Sequence, residues 1–318
     1  MGIVNKEYIA DLTKKSGGFY GVKTLDAAYD FCRRITLGHY ENFPVGSVLI
    51  PKNLRKNIYS IYAFARVADD IADEIQGDED LRIGYLENLA GLVLRSDDFL
   101  ESESDNSDFK GGKNPILWAL ADTLAEKDLP KEPFLRLLDA FKRDIKFVQA
   151  KGFEDLEDYC SYSANPVGEI ILRIFGLFDE KTKLFSDAVC TGLQLVNFWQ
   201  DLSVDLTRGR CYIPQNLLQK YELEINDLQL NEKSVNLRRC LDEIYDYTEE
   251  FLRKGRGLVN YLDNARLRTE IKATILGGQQ LLKKVKYFDT KIFVYRPRHS
   301  KLDIIKILFM IIFSKWTH

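Results

Sequence analysis

Two stretches of this 318-residue chain carry carboxylates in surroundings where carboxylates are costly. The first, AFARVADDIADE at 63–74, sets Asp69, Asp70, Asp73 and Glu74 among Ala, Val and Ile. At 100° per residue, Arg66, Asp69, Asp70 and Asp73 share an arc of about 100°. Ile61, Tyr62, Phe64, Val67, Ala68, Ile71 and Ala72 fill the remainder of that helix. The second, GLQLVNFWQDLSVDLTRGRCYIP at 192–214, repeats the device. Gln194, Asn197, Asp201 and Asp205 cover an arc of about 80°, between Leu193, Leu195, Val196, Phe198, Trp199, Leu202, Val204 and Leu206. Arg208 joins that arc if the helix runs one more turn, and Gly209 is placed to end it. An unpaired buried carboxylate is too costly to keep, so each stripe should face a polar cavity. Asp69 and Asp73 stand four apart, with Cβ atoms about 5–6 Å from each other. A cation would relieve their repulsion.

The donor types narrow the cation. The chain has only three histidines (His39, His299, His318), too few for a histidine metal site or a Ser/His/Asp triad. Its five cysteines form no C-x-x-C pair and read as reduced core thiols of a cytosolic protein. Carboxylates without His or Cys suit hard ions, Mg²⁺ above all. Mg²⁺ keeps waters and binds one or two carboxylates together with substrate phosphates. Two such stripes are therefore expected to serve a diphosphate, and the apolar remainder a hydrocarbon. The chemistry that follows is loss of diphosphate to leave a carbocation in a dry pocket.

The elements that must position these residues read as helices throughout. Apolar residues recur at three and four in 81–96, 115–127 and 132–150. The eight prolines fall largely at boundaries: Pro44, Pro51, Pro115, Pro130, Pro133 and Pro214. No segment alternates with period two between hairpin turns. The polar stretch 96–114 reads as a surface loop with no composition shift that forces a domain boundary. A single all-α domain over 1–318 is the simplest organisation, with hydrophobic residues at 45% sufficient for a large core.

The net charge of −3 argues against nucleic acid as a partner. The charge is uneven: residues 281–318 hold nine Lys/Arg against two Asp, which leaves −10 on the first 280 residues. A basic end on an acidic body suggests a membrane surface. The closing run KLDIIKILFMIIFSKWTH is too short to span a bilayer, which takes about 20 apolar residues. It reads either as a final core helix or as an interfacial helix at 301–318, with Lys301, Lys315 and Trp316 at headgroup level. The amino-terminal residues lack the apolar region of a signal peptide, and Lys6 stands where a myristoylation signal wants Ser or Thr. The expected location is cytoplasmic, peripheral on the inner membrane face if the closing helix is interfacial.

YAFARVADDIADE and QLVNFWQDLSVDLTRGRCYIP resemble the first and second aspartate-rich motifs of the squalene/phytoene synthases, the head-to-head prenyl synthases. The resemblance runs from about residue 25 to 300 and includes DYCSYSANPVGEIILRIFG at 158–176. It implies an isoprenoid synthase-type all-α bundle around a central cavity. Three segments resemble the bacterial hydroxysqualene synthases of the hopanoid pathway in particular. HYENFPVGS (39–47) stands where other branches carry Ser-x-Ser-Phe, SANPVGE replaces VAGxVGE, and Gln200 occupies a place where several relatives have Arg. That branch ionises presqualene diphosphate, rearranges the cation and captures water, with Mg²⁺ and without NADPH.

The resemblance assigns roles at matching positions. Asp69, Asp73, Asp201 and Asp205, with Asn197, become the metal ligands, and Asp70 an auxiliary. Arg66, Arg208, Arg210 and Tyr212 become diphosphate contacts; a guanidinium suits that forked task. Tyr159 stands near the reacting carbons, where it aids ionisation or steadies a cation through its π-face. Asn42, Phe43, Ala164, Asn165, Val167, Gly168 and Gln194 line the isoprenoid cavity, and Asn42 and Asn165 are the polar candidates for holding the water. Plainer roles stand beside these: Tyr159 and Tyr212 as core tyrosines, Arg66 as a counter-ion to its aspartates, Phe43 and Val167 as core. Another head-to-head synthase, making presqualene diphosphate from farnesyl diphosphate, squalene or a phytoene-type product, is the alternative enzyme. A non-catalytic isoprenoid-binding or assembly protein is the third reading, and it has no need for two like-charged stripes.

Overall fold

The computed structural model describes residues 11, 13, 20–38, 50–73, 78–100, 112–228, 234–298, 300 and 303. Among these, regular structure is helical apart from one isolated antiparallel bridge, Val22 to Lys113. The chain forms two compact units, Met1–Lys146 and Phe147–His318.

In the first unit, α1 spans Leu25–Gly38, α2 Arg55–Asp73, α3 Glu79–Leu94, α4 Pro115–Glu126 and α5 Glu132–Ile145. α2 packs on α1, α3, α4 and α5. It does so because Ala63, Phe64, Val67, Ala68, Ile71 and Ala72 are all buried. Phe64 meets Phe134 of α5 edge-on, ring centroids 5.9 Å apart. α4 starts where the sequence says it should. The Asn114 side chain accepts from the Ile116 and Leu117 amides at 3.1 and 3.2 Å, and Pro115 takes the first helical position.

Two details depart from the sequence expectation. The stretch 96–114 is not simply a surface loop. Ser96, Phe99, Lys113 and Asn114 are buried, and Lys113 Nζ donates to the Phe99 carbonyl at 2.8 Å; residues 101–111 lie outside the described ones. The helix expected over 132–150 stops at Ile145. The reason lies in the second unit, where the Ala150 and Lys151 carbonyls accept from the Gln215 and Asn216 amides at 2.9 and 3.0 Å. Gln149 Nε2 also donates to the Ile213 carbonyl at 2.7 Å. Backbone pairing there replaces the next helical turn.

In the second unit, α6 spans Phe153–Ser163, α7 Asn165–Ile174, α8 Glu180–Asp205, α9 Gln215–Lys220, α10 Val235–Gly255 and α11 Ala265–Phe288. The 26-residue α8 is its axis, packed by α6, α7, α10 and α11. Asp179 and Thr182 close its amino end as a reciprocal capping box. Trp199, two turns from its carboxy end, is fully buried and donates Nε1–H to Thr248 Oγ1 of α10 at 2.8 Å. Among the described residues no helix is long and apolar enough to cross a membrane.

Candidate functional site

The carboxylates lie in two patches, one in each unit. In the first, the last three turns of α2 present Arg66, Asp69, Asp70 and Asp73. One Arg66 nitrogen is 2.5 Å from Asp70 and another 3.2 Å from Asp69. Asp70 is almost fully buried, whereas Asp69 is half-exposed and Asp73, the last helical residue, is exposed. The stripe is thus graded. Asp70 and Arg66 form its buried root, and Asp69 and Asp73 its accessible edge. Arg82 of α3 donates to the Ala72 carbonyl at 2.7 Å and secures the end of α2. Glu74 lies outside the described residues, as do Asn42 and Phe43 of the expected cavity lining and the three histidines.

In the second unit the stripe runs down α8. Asn197 is exposed, and Gln194, Asp201 and Asp205 are half-buried. The residues between them, Leu195, Val196, Phe198, Trp199 and Leu202, are buried, as the apolar pattern requires. α8 ends at Asp205, and a 3₁₀ turn, Leu206–Arg208, follows. Arg208 therefore does not continue the α-helical arc. Gly209, at φ 73° and ψ 15°, reverses the chain as expected, and the Arg210 amide donates back to the Asp205 carbonyl at 2.9 Å.

Beneath this stripe lies an aromatic cluster. Tyr212 stacks on Phe198 with centroids 3.9 Å apart and planes 12° apart. Tyr159 of α6 is tilted against both, at 5.7 and 6.3 Å, and Phe147 meets Tyr212 edge-on at 5.2 Å. The Tyr212 ring is buried, so its packing role is plain, while Tyr159 is half-exposed.

The α6–α7 junction holds Ala164, Asn165, Val167 and Gly168. Asn165 Oδ1 accepts from Thr191 of α8 at 3.0 Å, which leaves the amide nitrogen as the part of that side chain able to hold a further group. Val167 is exposed, not core. Gly168 serves packing: a Cβ there would lie 2.3 Å from Ser186 Oγ and 2.7 Å from Cys190 Sγ.

One participant was not foreseen. Arg296 forks onto Asp201, with Nε paired to Oδ1 and Nη2 2.9 Å from Oδ2. The neighbouring Gln200 donates to the Pro297 carbonyl at 2.6 Å. Several cations of the basic end meet protein carboxylates: Arg296 with Asp201, Lys284 with Asp303 at 2.8 Å, and Lys286 with Glu249 at 2.9 Å. The signal available in the sequence was only the surplus of positive charge. The closing segment 304–318 is outside the described residues.

The donors of each patch suit a hard divalent cation: Asp69 and Asp73 offer carboxylate oxygens in the first unit, and Asp201 and Asp205 carboxylate oxygens with an Asn197 amide in the second. Asp201 already pairs with a guanidinium, which marks its position as one that calls for positive charge. Among the described residues no three His, Cys, Asp or Glu side chains stand close enough to hold an ion by themselves. An ion here would complete its shell with water and phosphate oxygens, the habit of Mg²⁺.

The family model for squalene/phytoene synthases matches residues 37–303. The chain belongs to the squalene/phytoene synthase family. It is 35% identical over 234 residues to the hydroxysqualene synthase of Rhodopseudomonas palustris, covering 73% of this chain and 74% of that one. To the hydroxysqualene synthase of Zymomonas mobilis it is 30% identical over 277 residues, covering 86% and 88%. The crystal structure of squalene synthase HpnC from Alicyclobacillus acidocaldarius superimposes with a TM-score of 0.73 at 36% identity, over 83% of this chain and 94% of that one. As a squalene/phytoene synthase family enzyme, the chain has the isoprenoid synthase-type helical fold that the resemblance implies, in the all-α class that its periodicity predicts.

Proposed function

We propose that this protein converts presqualene diphosphate to hydroxysqualene with Mg²⁺ and without NADPH. The observation that carries this reading is that both aspartate stripes stand complete in a chain 30–35% identical to hydroxysqualene synthases over most of its length.

Asp69 and Asp73 of the first unit, and Asp201 and Asp205 with Asn197 of the second, would serve as Mg²⁺ ligands. Bound Mg²⁺ would supply positive charge to a departing diphosphate. Arg66, Arg208 and Arg210 bind diphosphate oxygens, a role suited to planar, permanently charged forks. Arg66 brings its own support, since buried Asp70 fixes the guanidinium and leaves Asp69 accessible. The carbon–oxygen bond of the substrate breaks with both electrons leaving on the diphosphate. The resulting cyclopropylcarbinyl cation rearranges, and Tyr159 steadies it through its ring face. Gln194, Ala164, Val167, Gly168 and Phe43 bound the hydrocarbon. Asn42 and the amide nitrogen of Asn165 position a water, which adds to the cation and sheds a proton to give the alcohol. The support for Asn165 is its anchored carbonyl: Thr191 fixes the side chain, so its amide hydrogens point one way.

The test is product identification. The protein is incubated with Mg²⁺ and presqualene diphosphate, without NADPH, in H₂¹⁸O. The expected product is a C30 alcohol carrying ¹⁸O. Consumption of farnesyl diphosphate to presqualene diphosphate, with no alcohol formed, would assign the protein to another head-to-head reaction. Failure to turn over either substrate would leave isoprenoid binding without catalysis.

A further inference from the structure

Arg296 stands apart from the basic residues around it. It lies 95 residues from Asp201 in sequence and meets both carboxylate oxygens in a fork, the strongest geometry available to an arginine–carboxylate pair. Both side chains are about two-thirds shielded from water. The backbone carrying Arg296 is held at points on each side. Gln200 donates to the Pro297 carbonyl, Lys284 Nζ donates to the Arg298 carbonyl at 2.6 Å, and Lys284 also pairs with Asp303, which accepts from the Ser300 amide at 2.7 Å. Residues 295–298, with Ser300 and Asp303, are therefore a strap tied to α8 and α11. Its arginine reaches one of the carboxylates on which the proposed chemistry depends.

A carboxylate with both oxygens engaged by a guanidinium cannot ligate a metal through the same lone pairs at full strength. We infer that Arg296 is a positioning residue that holds the place of the cation at Asp201, and that metal binding displaces its fork. This rests on the metal-dependent reading given above. The guanidinium keeps the Asp201 carboxylate aimed while no metal is present, at the cost of competing with the metal when it arrives. Gln200 serves the same device. It secures the strap through Pro297 and brings Arg296 to the adjacent side chain of α8. This explains why an uncharged amide suits position 200, where a second arginine would crowd a cation against Arg296.

The experiment titrates the full-length protein with Mn²⁺ alone and follows free Mn²⁺ by electron paramagnetic resonance. Arg296→Gln should bind Mn²⁺ about fivefold more tightly than the parent protein, the effect of removing one well-formed, partly shielded competitor. Arg296→Lys, which keeps the charge but loses the fork, should fall between them. Arg298→Gln removes an equal charge from an exposed side chain of the same strap and should change affinity by less than about twofold. Asp201→Asn should weaken binding. If Arg296→Gln binds no more tightly than the parent while Asp201→Asn weakens binding, Asp201 is a ligand and the place-holding role of Arg296 is wrong. Equal tightening by Arg298→Gln would reduce the effect to general charge and also overturn it. If Asp201→Asn leaves Mn²⁺ affinity unchanged, the metal reading of Asp201 itself falls and takes the inference with it. Circular dichroism of each variant reports the fold, and Arg296→Lys covers the case in which Arg296→Gln does not fold.

Discussion

Arg66 and Asp70 form a buried-root ion pair at 2.5 Å, one helical turn apart on α2. The same guanidinium reaches the half-exposed Asp69 at 3.2 Å. Two adjacent aspartates in one motif therefore have different tasks. Asp70 is 1% exposed, so neutralising it takes from the largely shielded Arg66 guanidinium its buried counter-charge. Asp70→Asn should cost about 2 kcal/mol of stability, less than a fully buried pair because Arg66 keeps some solvent. Asp69→Asn should cost under about 0.5 kcal/mol. Urea denaturation of the two variants checks the difference, and equal losses would mean the burial gradient along the stripe is not what separates them.

Gly168 sits where α7 crosses α8 with no room for a methyl group. Gly168→Ala places Cβ against Ser186 Oγ and Cys190 Sγ and should lower stability by about 1–3 kcal/mol. Ser186→Ala removes the nearer atom and should recover part of that loss in the double variant. A simple additive loss in the double variant, seen by denaturant titration, would show that the crossing has slack.

Acid sensitivity of the first unit should depend on Glu126. Its hydrogen-bonded pairing with Lys56, Nζ to Oε2 at 2.7 Å, holds its carboxyl down from 4.5 to about 2, with Lys127 and Asn57 adding to the effect. The folded value is below the unfolded one, so the contribution is fully present above about pH 4.5 and is lost as pH falls toward 2. Glu126→Gln should therefore flatten the stability–pH curve between about pH 4.5 and 2. The slope of the urea midpoint over that window is the measurement, and an unchanged slope would contradict the pairing.

The five cysteines are free thiols that burial makes unreactive. Burial raises Cys211 to about 11 and both Cys190 and Cys240 to about 12, and pushes Cys32 and Cys160 up as well. The thiolate is the reactive form. Iodoacetamide at pH 8 should leave all five unmodified in the folded protein and label all five in urea, as counted by intact mass. Rapid native labelling of any one would show an opening of the helix packing around it.

What the sequence disclosed follows from periodicity. α3, α4 and α5 were visible because their apolar residues recur at three and four, and the ends of α4 because Asn114 and Pro115 are strong local punctuation. The two aspartate stripes were visible because apolar neighbours fixed their faces. Long-range pairings were not visible. The early end of α5 is decided by backbone bonds between 150–151 and 215–216. The fork from Arg296 to Asp201 joins residues 95 apart, and no helical period encodes it. The segment 96–114 looked like surface by composition, yet its ends are anchored by Phe99 and Lys113. A charge surplus can be counted in a sequence, but which carboxylate each lysine or arginine meets is a property of the fold.

The most direct test of the two-stripe mechanism is turnover by one variant from each stripe. Asp69→Asn and Asp201→Asn are assayed with presqualene diphosphate and Mg²⁺, alongside circular dichroism. Arg296→Gln is included as a control for loss of the fork. Each aspartate variant should keep its helical spectrum and lose turnover by about a thousandfold, the scale of removing several kcal/mol of charge stabilisation. Turnover retained in both folded variants would contradict the account.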